Sequence, residues 1–411
     1  MLACNVVATG SAEMALRAGA APLFLAVRWI EDALGTSTRP GVPRGATTDL
    51  GVATRTAGVL AKVALDELFL LSELLTSSVI GVADRDRLGR ELGDGLALAR
   101  SRGWLSNPAS YHETPAAPAD VHRRGDTALM TEFVELRYAS GYEPHAGEPG
   151  RQRWLDQVEN RTAYARIFEH PGPARPWLVC VPGYRMGSAP VDLTGFRVRW
   201  LYHELGLNVA IPIMPLHGPR AAPGSRGGDG FMRGDFVDTL HAQTQAVWDV
   251  RRLIAHLRTH RAERIGMYGV SLGGYTAALV ASFESDLDCV VAGIPAVDWV
   301  ALARTHTPSA AASLTGLSGA LERVEELLRV VSPLVLQPAV ARERRYLFAG
   351  LSDRLAPADH ARRLWEHWQR PHALWFEGSH VSFFWEQKVR ELLATALGQS
   401  GLVRGGADNP A

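Results

Sequence analysis

The sequence predicts an α/β fold built on a parallel sheet wrapped by helices, and three observations predict it. From about residue 127 onward, short β-rich runs alternate with helical stretches. Runs such as Leu178-Val179-Cys180-Val181 and Val290-Val291-Ala292-Gly293-Ile294 are apolar throughout instead of alternating, which marks strands covered on both faces. Before residue 105 the pattern is helical only, so a separate helical region precedes the sheet.

In chain order, residues 12–33 and 60–82 carry apolar side chains at helical spacing, and 85–102 repeats the pattern more weakly. A Gly/Pro/Thr-rich linker, 35–49, separates the first two. Leu60, Val63, Leu68, Leu71, Leu74 and Leu75 form one apolar face, which must cover the following domain, there forming part of the substrate pocket, or a second subunit of a homo-oligomer. The first is favoured because the segment 300–342 is too small to close a pocket alone. Residues 106–126, with three prolines, read as a linker. Strands are expected at 130–138, 162–169, 177–181, 208–214, 264–270, 289–294, 345–350 and 373–377, with helices at 195–205, 238–259, 272–283, 358–369 and 383–397. Between the sixth and seventh strands, 300–342 contains one amphipathic helix, 320–331. The organisation expected is a helical region (1–105), a linker (106–126), a catalytic domain (127–398) and a tail (399–411).

Composition narrows the function classes. A chain of 411 residues, 46% hydrophobic, buries a sizeable core without disulfides or metals. Basic and acidic residues balance at 43 each, without the basic footprint of a nucleic-acid partner. Arg17 and Arg28 interrupt one apolar stretch, and Lys62, Asp66, Glu67 and Glu73 another, so no transmembrane segment is expected. The three cysteines, Cys4, Cys180 and Cys289, form no CxxC pair and build neither a metal cage nor a disulfide framework. The expectation is a reduced, cytoplasmic protein with no metal and no cofactor, its cysteines free.

The chemistry is carried by Gly269-Val270-Ser271-Leu272-Gly273, a G-x-S-x-G motif. It follows an apolar strand and opens a helix of small residues, so a tight strand-to-helix turn holds the Ser271 hydroxyl above the sheet edge. A serine needs a base to take its proton and an acid to orient that base. Asp353 follows the strand at 345–350, and His380 follows the next one, both at strand C-terminal ends on the rim that Ser271 occupies. Asp298, after the preceding strand, is an alternative acid, whereas Glu377 is expected to stay inside its strand. Oxyanion donors are expected from the backbone N–H of Leu272 and, in the loop 182–187, of Tyr184. Met186, His217 and Phe231 are candidate pocket residues, and the Gly-rich stretch 226–233 lies on the same rim.

Residues 127–398 resemble the α/β-hydrolase superfamily of serine esterases, lipases, thioesterases and peptidases. The resemblance rests on Gly183-Tyr184 after an apolar strand, the elbow 269–273, Gly350-Leu351-Ser352-Asp353 and Gly378-Ser379-His380. Pro182 stands where many members have His before the oxyanion glycine, and Pro215-Leu216-His217-Gly218 occupies the place of the family's R-G-H-G-like loop. The resemblance implies an eight-stranded, mostly parallel sheet, a small lid at 300–342 and acyl-enzyme chemistry, while the N-terminal helical extension has no counterpart in the minimal core of that superfamily. The expected function is hydrolysis of a small-molecule carboxylic ester. The alternatives are an acyltransferase or a serine peptidase using the same triad, or a non-catalytic binding protein on this fold.

Overall fold

The computed structural model describes residues 56–76, 82–232, 235–260, 262–306 and 317–403. The expected helix at 12–33, the linker after it and most of the tail lie outside them. The chain runs through α1 (Ala57–Thr76), α2 (Val82–Ser101), β1 (His122–Ala128), β2 (Thr131–Ala139), α3 (Arg151–Leu155), β3 (Thr162–Phe168), β4 (Trp177–Val181), α4 (Ala189–Gly195) and β5 (Asn208–Ile213). It continues with α5 (Phe236–Thr259), β6 (Ile265–Val270), α6 (Leu272–Val280), β7 (Cys289–Gly293), α7 (Trp299–His306), α8 (Leu317–Leu328), β8 (Arg345–Gly350), α9 (Ala358–His367), β9 (His372–Phe376) and α10 (Gln387–Gln399).

The strands form one sheet in the order β1-β2-β3-β5-β4-β6-β7-β8-β9. It is antiparallel through β1, β2, β3 and β5 and parallel from β5 to β9. Among the described residues nine strands are present where eight are expected. The additional one, β1, begins inside the stretch read as a linker. Its sequence His-Arg-Arg-Gly-Asp-Thr-Ala is exposed along nearly its whole length and pairs only with β2, so no apolar alternation advertises it.

The sheet is covered on both faces, as its unbroken apolar runs require. Val179 and Val181 face a core shared with α2, α5, α6, α8 and α9. Leu178 and Cys180 face the opposite core, shared with α4 and α10. Asp235 caps α5, its side chain accepting from the Asp238 N–H at 3.2 Å. Two expected helices are broken. The stretch 195–205 is the end of α4 followed by a π-turn, Trp200–Glu204. The stretch 383–397 is a 3₁₀ turn, Val381–Trp385, that stops at the extended Glu386 before α10 starts. In the insertion, α8 ends in a 3₁₀ turn, Arg329–Val331. Cys180 on β4 and Cys289 on β7 are free, buried, and separated by β6.

Candidate active site

The turn between β6 and α6 fixes Ser271 at φ 56°, ψ −116°, a conformation costing of order 1–3 kcal/mol for a residue with a Cβ. The flanking glycines make the turn possible. A Cβ on Gly269 would stand 2.0 Å from the Gly273 carbonyl oxygen, and one on Gly273 would stand 1.9 Å from that of Val181. The Ser271 N–H donates to the Gly293 carbonyl of β7 at 2.9 Å, tying the turn to the neighbouring strand.

Asp353 and His380 leave the ends of the adjacent strands β8 and β9, and Asp353 Oδ2 meets His380 Nδ1 at 2.6 Å. The other carboxylate oxygen of Asp353 accepts from the N–H groups of Leu355 and Ala356 at 2.9 and 2.8 Å. Burial pushes the Asp353 carboxyl up to about 6. Burial also opposes the imidazolium of His380, but the Asp353 carboxylate outweighs it and raises the histidine above its ordinary value. Asp298 is engaged elsewhere, with Arg363 at 2.5 Å and the Ala301 N–H at 2.8 Å. Glu377 lies just past the end of β9 and is exposed.

Ser271 and His380 open into a cavity of about 680 Å³, which Leu272, Gly183, Tyr184 and Met186 also line. Gly183 approaches the elbow closely: a Cβ there would lie 3.0 Å from the Val270 carbonyl and 3.3 Å from the Ser271 Cβ. The N–H of Leu272 begins α6 and so has no intrahelical acceptor, and that of Tyr184 has no acceptor among the described residues. The walls are apolar, with Phe69, Leu70, Val191, Ile294, Trp299 and Phe383 prominent.

Of the three candidate pocket residues, Met186 lines the cavity, and its sulfur accepts from the Gly183 N–H at 3.1 Å. His217 and Phe231 do not, which corrects the expectation for both. His217 is wholly buried beneath the loop 182–187, its Nδ1 2.8 Å from the Pro215 carbonyl and its Nε2 accepting from the Arg185 N–H at 3.3 Å. Burial lowers its pKa to about 4, so the ring is a neutral brace. Phe231 packs edge-on against His217 and Trp299, and its neighbour Met232 reaches the cavity instead. Among the described residues, no three His, Cys, Asp or Glu side chains stand together to hold a metal.

Sequence reasoning favoured the N-terminal helices as a wall of the pocket but placed there none of the α1 residues that line the cavity. Phe69, Leu70 and Glu73 line the cavity, and Glu73 accepts from the Tyr184 hydroxyl at 3.1 Å and from Arg185 at 2.6 and 2.9 Å. Arg185 also reaches Asp229 of the Gly-rich stretch at 2.8 Å. The apolar spacing of α1 announces a packed helix, but nothing local says which loops its charged residues meet.

A model of the X-Pro dipeptidyl-peptidase (S15) family matches residues 221–375, which span the elbow and Asp353. Two uncharacterized proteins of Mycobacterium tuberculosis, from strains CDC 1551 and H37Rv, are each 39% identical over 362 residues, covering 86% of this chain and 85% of theirs. Among solved structures, acetyl xylan esterase 1 from Thermoanaerobacterium is similar at 14% identity and a TM-score of 0.48, over 80% of this chain and 96% of that one. A puromycin-hydrolyzing peptidase from Mycobacterium tuberculosis is similar at 20% identity and a TM-score of 0.40, over 60% of this chain and 39% of that one.

Proposed function

The chain belongs to the α/β-hydrolase superfamily of serine hydrolases, and on that premise we propose that it cleaves carboxylic esters through an acyl-enzyme. In this reading His380 takes the Ser271 proton while the hydroxyl attacks the acyl carbonyl, and the N–H groups of Leu272 and Tyr184 hold the oxyanion. Asp353 fixes the tautomer of His380 and stabilises the imidazolium. His380 then returns the proton to the departing alcohol, and water activated by the same base releases the acid.

The observation that carries the ester reading is the lining of the cavity. A dipeptidyl-peptidase must hold a charged α-amino group, which calls for a free carboxylate near the nucleophile. The acidic residue lining the cavity, Glu73, is already committed to Arg185 and the Tyr184 hydroxyl. The rest of the wall is dominated by side chains such as Phe69, Leu70, Ile294 and Trp299, which suit a neutral acyl chain. The family-model match favours the second reading, a serine peptidase. A panel of p-nitrophenyl esters from acetate to palmitate, run beside X-Pro and other aminoacyl anilides, separates the two. Ester cleavage that far exceeds anilide cleavage is expected; the reverse order overturns the ester reading.

A further inference from the structure

We propose that helix α1 is part of the active centre and that Asp66 is its positioning residue, locking the loop that carries Asp353 onto the loop that carries His380. The proposal rests on the Ser271–Asp353–His380 reading above. Asp66 is fully buried in the middle of α1, and its carboxylate accepts three backbone N–H groups. Oδ2 takes those of Arg354 and His380, and Oδ1 that of Val381, each at 2.9 Å. One donor therefore comes from the residue next to Asp353, one from His380 itself, and one from the residue after it.

Burying a carboxylate is costly, and an apolar residue here would continue the helix face without that penalty. What the carboxylate adds is a two-oxygen acceptor that satisfies N–H groups from two separate loops with charge-assisted bonds. The surrounding contacts act on the same two loops. Glu67 pairs with Arg354 at 2.9 Å, and the Ser379 hydroxyl donates to the Lys62 carbonyl at 2.8 Å. Lys62 reaches Glu386 at 2.5 Å and the Glu377 carbonyl at 3.3 Å. Two turns beyond Asp66, Glu73 grips the loop of Tyr184 and Arg185, so one helix touches the acid, base and oxyanion segments together.

The placement has an electrostatic consequence as well. Around His380 stand Asp353 from the β8 loop, Asp66 from α1 and His360 from α9, with Lys62, Glu67 and Arg354 further out. Asp66 adds a second negative charge that favours the imidazolium. Removing that charge lowers the pKa of His380, so the base stays active to lower pH.

The test uses the full chain, with Asp66→Asn and, as a control on the exposed face of the same helix, Leu68→Ala. In folded Asp66→Asn, kcat on p-nitrophenyl acetate is expected to fall about 100-fold, because the base and its acid lose register. KM should change by less than about 3-fold, and the acid limb of the pH profile should move to lower pH. Labelling of Ser271 by a fluorophosphonate should slow in parallel, while Leu68→Ala behaves as wild type. A wild-type rate and pH profile in Asp66→Asn, or an equal loss in Leu68→Ala, overturns the proposal. Labelling separates this from the ester reading: a wild-type chain that labels at Ser271 but ignores esters refutes the substrate, and the labelling rate still tests Asp66. Should Asp66→Asn not fold, or Ser271 of the wild type not label, amide exchange in the wild-type chain decides. Slow exchange at Arg354, His380 and Val381 is expected; exchange as fast as an open loop overturns the proposal.

Discussion

Asp353 Oδ2 stands 2.6 Å from His380 Nδ1, whereas Asp298, in the loop after the neighbouring β7, has turned its carboxylate to Arg363. The two acids are therefore not interchangeable. Asp353→Asn is expected to lower kcat by about 10⁴-fold, as loss of the orienting acid does elsewhere. Asp298→Asn should leave most of the activity. Steady-state kinetics on one short ester decides between them, and a neutral Asp353→Asn beside a dead Asp298→Asn would move the acid to β7.

The pH dependence follows from the same pair. His380 acts as a base only when neutral, and its pKa is raised above 6.5 by the adjoining carboxylate. kcat/KM should therefore fall as the pH drops through a value above 6.5. In Asp353→Asn that limb should move to lower pH, since burial alone depresses an imidazolium. A wild-type limb centred below 6.5 would contradict this.

Gly273→Ala should be among the most damaging single-methyl changes. Its Cβ would stand 1.9 Å from the Val181 carbonyl and 2.6 Å from that of Pro182, both backbone atoms that cannot swing away. A loss of about 3 kcal/mol or more is expected in urea unfolding, the upper range for overpacking.

The oxyanion segment has a buried anchor of its own. Arg166 on β3 pairs with Asp192 on α4, and from opposite sides the two hold Gly187, through its carbonyl and its N–H, each at 2.8 Å. Asp192→Ala strands the arginine in the interior. It should cost about 3–5 kcal/mol of stability, measurable as a shifted unfolding midpoint.

On the ester reading, α1 should set acyl length in part, because Phe69 and Leu70 line the cavity. Leu70→Trp adds bulk to the cavity wall and should lower kcat/KM for palmitate about tenfold more than for acetate. Equal losses on both esters would place Leu70 away from the acyl chain.

Much of this was legible in the sequence because the parallel strands are buried on both faces and the elbow has a strict shape. Val179 and Val290 belong to runs that only a doubly covered strand explains, and Ser271 sits between glycines that nothing else requires. β1 was illegible for the opposite reason: an exposed edge strand of His122, Arg123 and Arg124 carries no burial signal. His217 and Phe231 misled because proximity to the rim in the chain does not say which side of a loop a side chain enters. Asp66 was hidden because its partners are backbone amides, and a sequence displays side chains.

The bonds from Asp66 to the amides of His380 and Val381 join positions 314 and 315 residues apart in the chain. Between them lies every strand of the sheet. Contacts of such range form late, because the entropy of closing the loop is lost before the contact repays it. A refolding chain can thus complete its sheet and bend its elbow while Ser271 remains inert. Hydrolytic competence should be the last property to return, trailing the recovery of secondary structure by a separate kinetic phase. On that expectation activity reports the completeness of the fold, and a half-made molecule should be silent.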